Sequence, residues 1–176
     1  DAAHGHIDRY PAATRTLIEA FSRDLHMSPQ SPPHGSCDAV IPIGGLVRAN
    51  LSRPAYAADL VASGVVGTQM VIGLASERTT STSERVLASS LGVPPDTEQE
   101  ALEFGMESAF GFNSREWLRT SAPGLKKAPR RSGVALLTGA APAAGAVGRR
   151  ATTGEAFGWL LQTSVLPPDA SVLQIT

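Results

Sequence analysis

Two arginines, Arg149 and Arg150, stand between a loop rich in glycine and alanine (139–148) and a helix whose head reads Ala-Thr-Thr-Gly-Glu155. A loop of this kind opening a helix presents backbone N–H groups and the positive end of the helix dipole, a natural anion site. Arginine adds forked donors that match phosphate or carboxylate, and Thr152 and Thr153 place hydroxyls beside them. The spacing matches neither the P-loop lysine motif nor the dinucleotide glycine fingerprint. The plainer reading of Thr152-x-x-Glu155 is a capping box, and that of the two arginines is a solvated pair at a helix start. Such a pair is disfavoured beside the positive dipole end, which argues for a bound anion.

Further candidates fall at the ends of apolar runs. Gly44 and Gly45 close the run 38–43 and are followed by Arg48 and Asn50. They read either as a close approach of backbone to ligand or as a tight turn. Arg48 and Arg53 read equally as partners of neighbouring carboxylates. Ala75-Ser-Glu-Arg78 and Thr176 end two other runs. Glu84 and Glu155 are the carboxylates placed to act as a general base, although the sequence shows no partner that would raise either pKa. Glu84 also completes a capping box with Ser81, as Glu100 does with Thr97. No nucleophile elbow, H-E-x-x-H or paired zinc motif is present. His4 and His6 lie near a terminus, His26 and His34 lack a partner pattern, and Cys37 before an apolar run reads as a small core residue. No metal site is expected.

The elements that must position these residues alternate in type. An amphipathic helix spans 10–27 with Leu17, Phe21 and Leu25 at four-residue spacing, and a proline-rich loop follows. Strands are expected at 38–43, 69–74, 133–138 and 171–175, with Pro42 placed near the end of the first. Helices are expected from Pro54 to Gly64, from the Ser81 and Thr97 caps, and from Thr152. Residues 113–132, which hold Lys126, Lys127, Arg130 and Arg131, read as an irregular basic excursion. Strands alternating with helices imply an α/β fold, a Rossmann-like, doubly wound and mostly parallel sheet with helices on both faces. Ligands of such sheets bind beyond the carboxyl ends of the strands.

At 176 residues, with 42% hydrophobic and 18% charged residues, the chain suits one globular domain, 1–176, with residues 1–37 leading into the sheet. A formal net charge of -1 gives no overall field to recruit nucleic acid. One cysteine excludes an internal disulfide. No apolar run approaches the roughly 20 residues of a membrane span. A signal-peptide pattern is absent, so cytoplasm is the expected compartment. The start at Asp1 reads as a processed or trimmed product, and the end at Thr176, on a strand's carboxyl end, as a possible truncation.

In this order the motifs resemble the bacterial YdcF/SanA/ElyC superfamily. Asp38-Ala-Val-Ile-Pro-Ile-Gly-Gly45 is similar to the family's first strand and Gly-Gly loop, and Arg53-Pro-Ala-Tyr-Ala-Ala58 to the helix that follows. Glu84, at the head of a helix ending in Leu91-Gly92-Val93-Pro94, resembles the family's second-loop glutamate. Arg150-Ala-Thr-Thr-Gly-Glu155 resembles its Asn-Thr-x-Glu/Asp segment, with Thr152 in place of asparagine. The forms at 44–51 and 149–151 are closest to actinobacterial variants. Ala75-Ser76 departs from the usual second-loop glycines, and the family's final histidine motif has no counterpart before Thr176. The resemblance implies a ligand crevice at the strand ends, with S-adenosylmethionine or a phosphorylated, lipid-linked compound as ligand.

The expected function is therefore the binding of an anionic or nucleotide-like small molecule by Gly44, Gly45, Arg48, Asn50, Arg149, Arg150, Thr152, Thr153 and Thr176. The alternatives are a group-transfer or hydrolytic enzyme using Glu84 or Glu155, and a non-catalytic envelope or biosynthetic assembly protein.

Overall fold

The computed structural model describes residues 10–24, 35–94, 96–131, 133–142 and 151–176. The chain divides into two compact units, Asp1–Pro33 and His34–Thr176. In the first, helix α1 runs over Ala12–Asp24, within the expected 10–27, and Leu17 and Phe21 are both exposed on it; residues 25–27, Leu25 among them, lie outside the described residues.

The second unit contains, in chain order, β1 (Gly35–Ser36), β2 (Ala39–Pro42), α2 (Val47–Ala62), β3 (Val66–Gly67), β4 (Met70–Ser76), α3 (Thr82–Ser90) and α4 (Glu98–Phe110). A 3-10 turn (Ser114–Glu116), β5 (Leu118–Arg119), β6 (Leu125–Arg131), β7 (Val134–Ala141), α5 (Thr153–Gln162) and β8 (Val172–Ile175) complete it. All three expected capping boxes form, at Ser81/Glu84, Thr97/Glu100 and Thr152/Glu155. They fix where α3, α4 and α5 begin.

Six strands join in the order β5-β6-β7-β4-β2-β8. The four expected strands are parallel to one another, but β6 runs antiparallel to both β7 and β5. The sheet is therefore mixed, and the irregular excursion expected at 113–132 is instead largely an antiparallel edge. Its lysines, arginines and Pro129 are poor strand formers, so propensity hides it. Pairing makes the strand: Leu125 is buried, Lys126 pairs with Glu103 on α4, and a bulge between Ala128 and Arg131 accommodates Pro129.

Successive strand residues point to opposite faces, and the two faces build two cores. Ile41, Ile72, Leu74 and Leu137 pack with Ala156 and Leu160 of α5. Val40, Val71 and Leu136 pack with Ala57 and Leu60 of α2 and Met106 of α4. Helices thus cover both faces of the sheet. Near-continuous apolar runs in β2, β4 and β7 follow from this double burial.

Proline and glycine mark the tightest places. Pro42 ends β2, and the β2–β4 ladder is interrupted between Val40↔Val71 and Ile43↔Leu74, where proline has no N–H to give. The helix expected to begin at Pro54 begins seven residues earlier, at Val47, with Pro54 in its interior. Pro54 cannot donate to the Asn50 carbonyl, and that carbonyl abuts Gly105 of α4, where an added Cβ would overlap it. The α2–α4 contact therefore requires a residue without a side chain at 105. Gly105→Ala should lower stability by about 1–3 kcal/mol in urea denaturation; an unchanged midpoint would show that the two helices part at no cost.

Candidate functional site

From β2 the sheet grows on one side through β4 and β7, and then the chain returns to place β8 on the other side of β2. A reversal of this kind opens a crevice at the carboxyl ends of the strands on either side of it. A cavity of about 450 Å3 lies there. Ile43 and Gly44 beyond β2, Ser76 at the end of β4 and Thr176 after β8 form one wall. Thr152, Thr153 and Ala156 at the N-terminal end of α5 form another, and Arg53 and Glu98 also line it.

Glu98 is the first residue of α4, where the helix dipole favours a carboxylate, yet its side chain is only 1% exposed. A charge so buried must be paired. Its Oε1 accepts the Ser76 backbone N–H at 3.3 Å, and its Oε2 accepts Arg78 Nε at 2.6 Å. Arg78 turns its other two nitrogens to Glu84, at 2.9 and 2.7 Å, and also reaches the Gly45 carbonyl at 3.3 Å. One guanidinium therefore joins the ends of β2 and β4 to the first turns of α3 and α4.

The electrostatics follow from this geometry. The hydrogen bonds to Glu84 hold the Arg78 guanidinium above its ordinary value, against the cost of burial. Arg78 in turn lowers the Glu84 carboxyl from 4.5 to about 2, helped by the Ser81 N–H and hydroxyl and opposed by burial.

The loop after β2 is held from inside. Asn50, fully buried on α2, accepts the Gly45 N–H at 2.8 Å and donates to the Gly45 carbonyl at 3.3 Å. Arg53 donates to the carbonyls of Ile43 (2.6 Å) and Gly44 (3.1 Å). Both glycines are occupied by these neighbours. A Cβ on Gly44 would stand 2.6 Å from Glu98 Oε1, and one on Gly45 would stand 3.0 Å from the Arg53 guanidinium. The close approach their sequence suggests is made by protein side chains.

Of the expected site residues, Gly44, Thr152, Thr153 and Thr176 line the crevice, while Gly45 lies in the loop behind it and Asn50 holds that loop from α2. Arg48 is exposed on α2 and does not line the cavity. Glu84 and Glu155 both close capping boxes, Glu155 through the Thr152 N–H at 2.7 Å and hydroxyl at 2.9 Å. Arg149 and Arg150 lie outside the described residues, as does most of the expected glycine loop. Gly139, expected in that loop, sits inside β7, where a Cβ would stand 2.6 Å from the Trp159 ring. Among the described residues no group of three or more His, Cys, Asp or Glu is placed to hold a metal. No described helix is long and apolar enough to cross a membrane.

Three residues of the site carry no role in the sequence reading: Ser76, Arg78 and Glu98. The first two were visible only as part of a strand end, because the apolar run stops at Leu74 while β4 continues to Ser76. Glu98 is masked by its own capping box, in which an extra acidic residue in the first turn looks generic.

Comparisons with family models, with curated proteins and with solved structures return no match to this chain.

Arg78→Ala would take the guanidinium away from the buried Glu98 carboxylate and should cost about 3–5 kcal/mol in denaturant unfolding at neutral pH. The folded-state pKa of Glu84 is depressed, so its stabilising contribution is complete above the unfolded value near 4.5 and is lost as pH falls towards 2. Glu84→Gln should therefore flatten the acid limb of a stability–pH profile between those values; an unaltered limb would remove Glu84 from the network.

Proposed function

We propose that the chain is a Rossmann-like, doubly wound small-molecule-binding domain whose crevice at the carboxyl ends of β2, β4 and β8 takes a nucleotide-like ligand. The observation that carries this reading is the coincidence of three things at one place. These are the reversal of strand order beside β2, a cavity of about 450 Å3, and a lining of small residues and hydroxyls at the head of α5. Cavities of this size that gather a few convergent polar groups are the usual form of a small-molecule site.

The charge around the crevice favours a nucleotide-like ligand over a simple anion. Arg78 is paired with Glu84 and Glu98, Arg53 is directed at the carbonyls of Ile43 and Gly44, and Glu155 occupies the cap of α5. An anionic group belongs at the α5 end, beside Thr153. Within this reading S-adenosylmethionine, the ligand implied by the YdcF/SanA/ElyC resemblance, is one candidate among nucleotides and sugar nucleotides. Glu84 and Glu155 serve as caps, and no catalytic step is assigned to them.

Thermal unfolding in the presence of S-adenosylmethionine, nucleotides, sugar nucleotides and prenyl phosphates tests the proposal. A ligand at a hundred times its Kd adds about 2.7 kcal/mol of stability, and the melting temperature rises accordingly. Thr153 is exposed and lines the cavity, so Thr153→Phe should fill the entrance and abolish the shift while the unliganded melting temperature holds. A protein that no compound stabilises, or a shift that survives Thr153→Phe, would contradict the assignment.

A further inference from the structure

The crevice contains a polar atom that the fold leaves unused. Ser76 is 2% exposed, it lines the cavity, and its Oγ has no hydrogen-bond partner. Its backbone N–H is already given to Glu98, so the hydroxyl is the part of the residue with nothing to do. A buried hydroxyl without a partner costs stability, and such groups in folded proteins call for an explanation. Along β4, Ser76 falls on the face of Ile72 and Leu74, which is the face covered by α5. The hydroxyl therefore points into the space between the sheet and α5.

Thr138 supplies the contrast. Its Oγ1 is also buried and unpartnered, but it lies on the opposite face of the sheet with Val134 and Leu136 and lines no part of the crevice. An unsatisfied hydroxyl alone is not a site; Ser76 differs in facing a cavity.

The chemistry beside Ser76 narrows what it meets. The Glu98 carboxylate lines the same floor, behind Gly44. A carboxylate repels a phosphate placed against it and welcomes a donor such as a hydroxyl or amine. A ligand hydroxyl suits both groups, since it can accept from Ser76 Oγ and donate towards Glu98, or donate to Ser76. Building on the nucleotide-like reading of the crevice, we infer that its floor is a hydroxyl-reading subsite in which Ser76 hydrogen-bonds the ligand. It selects compounds with a sugar or nucleoside portion over bare phosphates and prenyl phosphates.

Two measurements on the full chain test this. In the absence of ligand, Ser76→Ala should melt at the same temperature as the parent or higher, because it deletes an unsatisfied group. A marked drop would mean that the hydroxyl has a partner in the fold, which overturns the inference. Binding is then compared by calorimetry for S-adenosylmethionine, AMP, ribose 5-phosphate and UDP-glucose against inorganic phosphate, pyrophosphate and dimethylallyl diphosphate. The expected result is binding by at least one hydroxyl-bearing compound. Ser76→Ala should weaken it about five- to tenfold, the scale of one hydrogen bond, and Thr138→Val should leave it intact. Equal binding by the compounds without hydroxyls, with no effect of Ser76→Ala, would overturn the subsite and leave the crevice assignment standing. Binding by none of the seven would overturn both.

Discussion

A deeply buried carboxylate organises the carboxyl end of this sheet. Glu98 is placed by the cap of α4 at a point where β2 and β4 both terminate, and there it is met by Arg78 and by the Ser76 N–H. Arg78 reaches that position because β4 runs on to Ser76 and the chain turns immediately afterwards. The second face of the guanidinium then fixes Glu84, and with it the start of α3. The glycines answer the same demand from the other side, since any side chain at 44 would collide with the carboxylate. A polar network this dry is costly unless every member is satisfied, and around it nearly all of them are. Ser76 Oγ is the exception, and it faces the cavity.

The same constraint explains why the crevice has its particular chemistry. Arg78 stands between the carboxylates of Glu84 and Glu98, and Arg53 adds a second cation against the carbonyls of Ile43 and Gly44, so the floor is polar with both signs of charge present. The α5 end differs: it offers the dipole and the hydroxyls of Thr152 and Thr153, partly quenched by Glu155. On the proposed reading, a ligand that spans the two ends carries two chemistries, a neutral hydroxyl-bearing part and a more polar or anionic part. That combination is what separates a nucleotide-like molecule from a simple anion.

Much of the fold was legible because burial on both faces writes itself into the sequence as apolar runs, and because capping boxes mark helix starts by local chemistry alone. Val40, Val71 and Leu136 announce strands wherever they pair, and Ser81, Thr97 and Thr152 begin helices where expected. The antiparallel edge was not legible, since Leu125–Arg131 owes its strand form to pairing with β7 and to the Lys126–Glu103 contact, neither of which is local. Pro54 misled for a related reason: proline usually opens a helix, and inside α2 it sits where Gly105 of α4 packs against the Asn50 carbonyl that proline leaves without a donor, a contact no local pattern announces. At the site, glycines and hydroxyls at strand ends were readable from topology. The ion network was not, because Arg78, Glu84 and Glu98 are each unremarkable by spacing and acquire meaning only when three elements converge.

The central claim is that Arg78 and Glu98 act as one buried unit holding the strand ends in place. A double-mutant cycle of Arg78→Ala and Glu98→Gln, read by denaturant unfolding, addresses it directly. Residues in direct buried contact should show a coupling energy of about 1–3 kcal/mol, with the double variant far less damaged than the sum of the singles. Additive effects, with a coupling below about 0.5 kcal/mol, would mean that the two side chains act independently and that the crevice floor is built some other way.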